Sequence, residues 1–503
     1  MYRTLGALCL LLAACAAPPV ASARSDTTHR LVLRIADSDR RVLQSVRSRQ
    51  PLPGLSLNGQ PLTLVHRPDA HTVVVRLPRE MTLAEARQMA RELLADPMVE
   101  AAEPDRRVYP AFTPNDTFYP EQWYLFDANS GINADLAWDR GTGSSAVVIA
   151  ALDSGILPHA DLDMARVLPG YDFISDPVTA NDGDGRDPDP TDPGDAVAAG
   201  ECGPGEPAEP SSWHGLAVAG VMVATPDNSL GVAGIDFGAR LLPVRVLGKC
   251  GGFLSDIVAA MRWAAGLPVP GVPLNTTPAR VINLSLGGEG ACTDREQSAI
   301  DEVVAAGAVV VVAAGNEGGD VSLRTPANCR GVITVSAVGR SADLASYANF
   351  GAAVDLSAPG GSGGQGIMTL SNNGSPAPST DALALVLGTS FATAQVSAVS
   401  ALMLALNDSL DACTVEQTLK ATVRAFPAGS TCTTTRCGAG LLDADAALAA
   451  SLDPAAAVAA CSAGGGGGGG GGGCSLAAGG RPDPLWLLLA LATLLRRWRS
   501  GRR

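Results

Sequence analysis

The sequence predicts an α/β protein built on a doubly wound parallel sheet, preceded by a smaller α+β unit. Three observations predict it. Apolar runs able to form strands buried on both faces occur at 146–152, 239–247, 280–286, 308–314, 332–338 and 354–358. Stretches of helical apolar spacing separate several of them, at 215–224, 254–266, 295–306 and 391–406, and such alternation makes a parallel sheet covered on both faces. Composition allows a large core: 46% of the 503 residues are hydrophobic and 17% charged, which excludes a wholly disordered chain. No interior run approaches the ~18–20 apolar residues of a membrane span, so a polytopic membrane protein is excluded as well. The net charge of -14 and pI near 4.8, with only Lys249 and Lys420 as lysines, argue against a nucleic-acid partner.

Taken in order, residues 1–23 read as an export signal: Arg3, the apolar run Leu5 to Ala14, then small residues. Two cleavage readings stay open, Ala21-Ser22-Ala23 before Arg24, or a lipidation box Leu12-Ala13-Ala14-Cys15. Residues 24–112 form the small unit. Leu31–Ile35 and Thr72–Leu77 read as strands, and the apolar spacing from Leu83 to Leu94 as a helix capped by Thr82 with Glu85 three positions on. Val99–Asp105 then leads into a Pro-containing linker. Residues 113–453 carry the α/β pattern, interrupted at 181–210 by a loop too rich in Asp, Pro and Gly to be a core element.

Residues 454–475 are an Ala/Gly-rich linker that includes ten consecutive glycines, Gly464–Gly473, which have nothing to bury. Residues 476–503 hold a short apolar run, Leu485–Leu495, followed by an Arg cluster. The run is short for a stable span and fits a transient membrane anchor with its basic flank on the cytoplasmic side. Setting aside Cys9, Cys15 and Cys474 leaves eight cysteines, at 202, 250, 292, 329, 413, 432, 437 and 461. In an exported protein an even set reads as disulfides; buried free thiols are the alternative.

Three segments together meet the needs of nucleophilic acyl transfer. Val147–Gly155 is a buried strand delivering Asp153 at its C-terminal end, the edge where catalytic groups of open α/β sheets gather. His214 opens a helix of small residues, and Ser390 in Gly388-Thr389-Ser390 begins another. A serine hydroxyl needs a base, an imidazole serves near neutrality, and a carboxylate fixes the tautomer of that imidazole. A fourth piece, Asn316 in Ala313-Ala314-Gly315-Asn316-Glu317-Gly318, ends an apolar run with an amide able to donate to an oxyanion. Alone, each has a structural explanation: a solvated strand-end Asp, a packed His, a capping Ser, an Asn turn.

The order Asp, His, Asn, Ser, with the words Ala-Leu-Asp-Ser-Gly, His-Gly-x-x-Val-Ala-Gly, Ala-Ala-Gly-Asn-Glu-Gly and Gly-Thr-Ser-x-Ala-Thr, resembles the subtilisin-like serine peptidases over residues 115–450. The resemblance implies a subtilisin-like sheet, with Asp153 as orienting acid, His214 as general base and acid, Ser390 as nucleophile and Asn316 as oxyanion donor. It implies that Ser285-Leu286-Gly287 pairs by main-chain bonds with an extended substrate, as in strand addition. It makes residues 24–112 a propeptide, an inhibitor that also assists folding, released by cleavage within 109–114. The chain departs from the family at Leu216, where Thr is common, and at Ala394-Gln395, where Pro-His is common, which bears on local packing.

The resemblance further implies a secreted serine endopeptidase made as an autoprocessed zymogen, acting on proteins and peptides. No cofactor is expected in the chemistry, and the enzyme is expected to be a monomer at the surface of, or outside, a Gram-negative cell. The tail resembles Gly-rich sorting tails cut by a rhomboid-like membrane peptidase. Structural calcium is an expectation of the family, and alternate carboxylates at Asp182, Asp184 and Asp187 offer hard oxygen ligands for it. Proximity along the implied fold pairs Cys202 with Cys250, Cys292 with Cys329 and Cys432 with Cys437, leaving Cys413 and Cys461. A catalytically inactive shell that grips peptides is the alternative function, and a lipid-anchored processor with one client a further one.

Overall fold

A computed structural model describes residues 27–36, 48–57, 59–105 and 112–464. The signal segment, residues 109–111 of the expected cleavage region and the tail after Gly464 lie outside the described residues. The chain divides into two compact units, one of residues up to 111 together with 139–141, the other holding the rest.

Among the described residues, the first unit is a five-stranded antiparallel sheet with one helix. Its strands are β1 (Thr27–Ile35), β2 (Pro51–Leu57), β3 (Gln60–His66), β4 (Thr72–Thr82) and β5 (Val99–Pro104), in the order β2-β3-β4-β1-β5. The expected strands and helix are present, but β2, β3 and β5 are additional. Pro51, Pro53 and Gly54 disguise β2, and the residues that read as a lead into the linker pair instead with β1. Helix α1 (Leu83–Leu93) starts in a capping box: the Thr82 hydroxyl accepts from the Glu85 N–H while the Glu85 carboxylate accepts from the Thr82 N–H. Its Ala86, Ala90 and Leu93 pack on Leu31, Leu33, Val73 and Val75 of the sheet.

The second unit is built on a seven-stranded sheet, all of whose pairings are parallel. Its strands are β6 (Val148–Asp153), β7 (Tyr171–Asp172), β8 (Arg240–Arg245), β9 (Val281–Leu284), β11 (Val309–Ala313), β13 (Ile333–Val338) and β14 (Leu356–Pro359), in the order β14-β13-β11-β9-β6-β8-β7. Short pairs β10 (Gly288–Glu289) with β12 (Arg324–Thr325) and β15 (Ile367–Asn372) with β16 (Asp381–Val386) complete the strands. All six sequence-predicted strands are here. They are legible because both faces are covered: Val309 to Val312 are each no more than 1% exposed, and a buried Val contributes about 1.5–3 kcal/mol.

Helices α2 (His214–Val223), α3 (Leu254–Ala264), α4 (Asp294–Ala305) and α5 (Thr389–Leu406) cover the sheet. The last is long and apolar enough to cross a membrane, but 89% of it is buried in the core. Its hydroxyls are satisfied internally: Thr393 and Ser400 donate to the carbonyls of Thr389 and Val396 one turn back. Four disulfides close the unit, Cys202–Cys250, Cys292–Cys329, Cys432–Cys437 and the remaining pair Cys413–Cys461. Segment 181–213 contains no helix or regular strand.

Candidate active site

The chain leaves β6 toward β8 on one side of the sheet and later returns to β9 on the other. The C-terminal ends of β6 and β9 therefore flank the point where strand order reverses, which is where an open α/β sheet forms its crevice. Asp153 is the last residue of β6, and Ser285 follows β9 directly.

Helix α2 delivers His214 to that crevice in its first position. Gly215 makes the approach possible, because a Cβ there would lie 2.1 Å from the Gly155 carbonyl oxygen. Trp213, in left-handed backbone at φ 50°, turns the chain into the helix, and its indole N–H anchors on the Gly374 carbonyl at 3.1 Å. The imidazole Nδ1 lies 2.7 Å from Asp153 Oδ1. A carboxylate accepts, so Nδ1 carries the proton and Nε2 is left as the basic nitrogen. The same Oδ1 accepts the Ser154 N–H at 2.8 Å, while Oδ2, fully buried, has no hydrogen-bond partner among the described residues. Burial alone would lower the His214 pKa, but Asp153, with Asp195 and Asp192 behind it, more than reverses this and raises it.

Ser390 stands in the first turn of α5, 6% exposed, with the adjacent Phe391 ring 5.7 Å from the imidazole centroid. Its hydroxyl donates to the Ser285 carbonyl at 3.2 Å, and no hydrogen bond to His214 is formed. Hydrogen bonds between a nucleophile and its base are often long or poorly aligned before substrate binds. In return, the Ser285 hydroxyl donates to the Ser390 carbonyl at 2.9 Å, riveting the end of β9 to the start of α5. The Asn316 amide is oriented by Thr389, whose N–H and hydroxyl both donate to Oδ1 at 2.9 Å. With its oxygen so occupied, Nδ2 is the group left to donate.

His214, Ser285, Leu286, Gly287, Asn316 and Ser390 all line one cleft of about 520 Å³. Leu286 and Gly287 also border a neighbouring pocket of about 380 Å³ walled by Leu254, Ile257 and Met261. Both departures from the family pattern are buried. Leu216 is packed in the core, and Gln395 donates to the Pro359 carbonyl at 2.6 Å, tying α5 to β14.

Sequence reasoning left three side chains around the base without a role: Ser154, Asp192 and Asp195. The Ser154 hydroxyl donates to Asp192 Oδ2 at 2.7 Å and accepts the Gly215 N–H at 3.0 Å. Asp195 accepts both the N–H and the hydroxyl of Ser212, two residues before His214, at 2.6 Å. Ser154 lies within the Ala-Leu-Asp-Ser-Gly motif, but nothing local marks its partner 38 positions away.

The acidic loop does not gather its carboxylates. Asp182 Oδ2 pairs with the buried Arg245 at 2.7 Å, Asp184 is exposed, and Asp187 Oδ1 accepts the Asp189 N–H at 2.8 Å. Among the described residues no group of three acids, His or Cys is poised for a metal. Asp182, Asp184 and Asp187 thus stand apart, their charge taken up by Arg245, the backbone and solvent, and calcium on this trio stays an expectation. Asp116 and Asp161 are among the buried carboxylates that have no Lys or Arg ion pair. Asp116 is 3% and Asp161 1% exposed, Asp116 Oδ1 is unpartnered, and burial raises both pKa values. Asp116 Oδ2 accepts the Asp227 N–H and both Asp161 oxygens accept protein N–H groups, so Asp116 Oδ1 is the oxygen of the pair left open to a hard cation.

The model of the subtilase family, Peptidase S8, matches residues 144–440. An extracellular protease of Xanthomonas campestris pv. campestris is 48% identical over 381 residues, covering 76% of this chain and 64% of that protein. An extracellular basic protease of Dichelobacter nodosus is 42% identical over 341 residues, covering 67% of this chain and 56% of that protein. The chain thus spans less than two thirds of the length of these relatives. A solved protease structure from Pseudoalteromonas arctica is 47% identical with a TM-score of 0.65, covering 68% of this chain and 100% of that one. With more than half of its length matched by the family model, on a parallel sheet that brings the four motifs to one cleft, the chain belongs to the subtilase family.

Proposed function

We propose that this protein is a secreted serine endopeptidase that cleaves peptide bonds in proteins through an acyl-enzyme. The observation that carries the reading is the 2.7 Å bond between His214 Nδ1 and buried Asp153, in a cleft also lined by Ser390 and Asn316. In this reading an extended substrate lies along Ser285–Gly287. Ser390 Oγ attacks the carbonyl carbon as His214 Nε2 takes its proton, and Asp153 stabilises the imidazolium. The Asn316 amide donates to the oxyanion, a contribution of about 10²–10³ in turnover at a site of this kind. His214 then passes its proton to the leaving amine, and water repeats the sequence on the ester. Nucleophile, base and donors are all side chains, so the reaction needs no cofactor.

Secretion is supported by relatives named extracellular proteases. Residues 24–112 act as the propeptide that inhibits the site until cut off, and the tail serves as a sorting signal for a rhomboid-like peptidase. The mature enzyme works as a monomer. Calcium would be held at the open Oδ1 of Asp116, where it would offset buried charge without entering the reaction.

Intact-mass analysis of the secreted full-length chain tests the nucleophile and the zymogen together. The wild type loses an N-terminal piece of roughly 90 residues, a domain-sized segment, whereas Ser390→Ala keeps it. Equal processing of both assigns the cut to another peptidase, and Ser390 is then tested on casein. Folded wild type that leaves casein intact would favour the inactive peptide-gripping shell.

A further inference from the structure

Asp192 is a second buried acid beside the base, 1% exposed, and each of its two oxygens accepts a hydrogen bond. Oδ2 accepts the Ser154 hydroxyl at 2.7 Å, and Oδ1 accepts the Gly194 N–H at 2.9 Å. Among the described residues no Lys or Arg pairs with it. Ser154 is the hub of two further bonds. Its N–H donates to Asp153 Oδ1, and its hydroxyl accepts the N–H of Gly215, the residue after His214. Because Asp153 Oδ2 is unbonded, the Asp153 carboxylate is aligned through Oδ1 alone, by the Ser154 N–H and the imidazole. Whatever fixes Ser154 therefore fixes both partners of the Asp153–His214 pair.

We propose that Asp192 is a positioning residue of the endopeptidase site: through the Ser154 hydroxyl it locks the Asp153 carboxylate and the first turn of the helix bearing His214, and its charge favours the imidazolium. The proposal rests on the endopeptidase reading for its kinetic consequences only. The charged groups around the imidazole are Asp153, Asp195 and Asp192, with the Phe391 ring on the α5 side. Around Asp192 they are Asp195 and, at longer range, Arg245. Burial pushes Asp192 up to about 6, so above that pH it carries its charge. Removing an anion disfavours the imidazolium, so the pKa of His214 falls and the acid limb of kcat/KM moves to lower pH.

The test compares full-length wild type with Asp192→Asn, Ser154→Ala and Ser154→Thr, measuring kcat, KM and the pH profile on a peptide substrate. In Asp192→Asn, kcat falls about tenfold with little change in KM, and the acid-limb midpoint drops by ~0.5 pH unit. Ser154→Ala lowers kcat similarly, and Ser154→Thr, which keeps the hydroxyl, restores most of it. A second readout needs no activity. The chain has five histidines, so the His214 resonance can be assigned by its loss in His214→Gln and titrated by NMR in a Ser390→Ala background. There the Asp192→Asn change lowers the His214 pKa. An unchanged His214 titration, or folded Asp192→Asn with wild-type kcat and pH profile, overturns the proposal. A wild type that cleaves nothing while the His214 titration still responds to Asp192→Asn would sink the endopeptidase reading and leave this coupling standing.

Discussion

Arg245 lies between two sets of carboxylates that differ in almost every respect but charge. On one side its guanidinium, 1% exposed, pairs with buried Asp172 and with Asp182 of the acidic loop, and donates to the Ala180 carbonyl. On the other, its Nε donates to the Ser154 carbonyl at 3.2 Å, directly behind the Asp153–His214 pair. The loop acids are dense in sequence, yet they are solvated, bonded to nearby backbone or neutralised by Arg245. Asp153 ends a strand and Asp192 belongs to the same acidic segment, but both are buried, and between them they face hydroxyls, N–H groups and an imidazole instead of a permanent cation. The contrast shows that an acid becomes chemically useful through what it is denied. A carboxylate paired with arginine has no influence to spare, whereas one buried beside a histidine acts on that histidine.

Removing the buried acid breaks the comparison most severely. Asp153→Asn should keep the fold but lower kcat/KM about 10⁴-fold, the scale seen when this carboxylate is lost from Asp-His-Ser sites. Steady-state kinetics on a peptide substrate checks it, and a loss below tenfold would remove Asp153 from the pair.

Cutting the link between the two sets comes next. Arg245→Leu leaves Asp172 buried and unpaired and should cost about 3–5 kcal/mol in chemical denaturation. Burial already pushes Asp172 up to about 7 even with the arginine in place. Adding Asp172→Asn should therefore recover part of the loss, and no recovery would show that Arg245 acts through Asp182 and the Ser154 and Ala180 carbonyls instead of through Asp172.

The smallest effect is expected in the loop itself. Asp184→Asn should change stability by no more than about 0.5 kcal/mol, as for an exposed residue, and leave any calcium-dependent rise in melting temperature intact. Asp116→Asn should abolish that rise. Melting curves with calcium and with chelator decide it, and the opposite pattern would return calcium to the acidic loop.

Much of this fold is legible in the sequence for a local reason. Strands buried on both faces must be continuously apolar, so Val309–Val312 announces β11 without reference to any neighbour. A capping box needs only Thr82 and Glu85. Strand β2 is hidden because Pro51, Pro53 and Gly54 break the strand pattern, and its place in the sheet comes from pairing with β3.

The alternation of elements and the four motifs of the cleft are readable from the chain alone, because each is written in contiguous residues whose pattern carries the physics. Which acids are buried, and what they face, is settled by the packed fold. Asp192 reaches Ser154 across 38 positions, and Asp182 reaches Arg245 across 63. Burial and partnership are properties of the whole packing, and no local pattern encodes them.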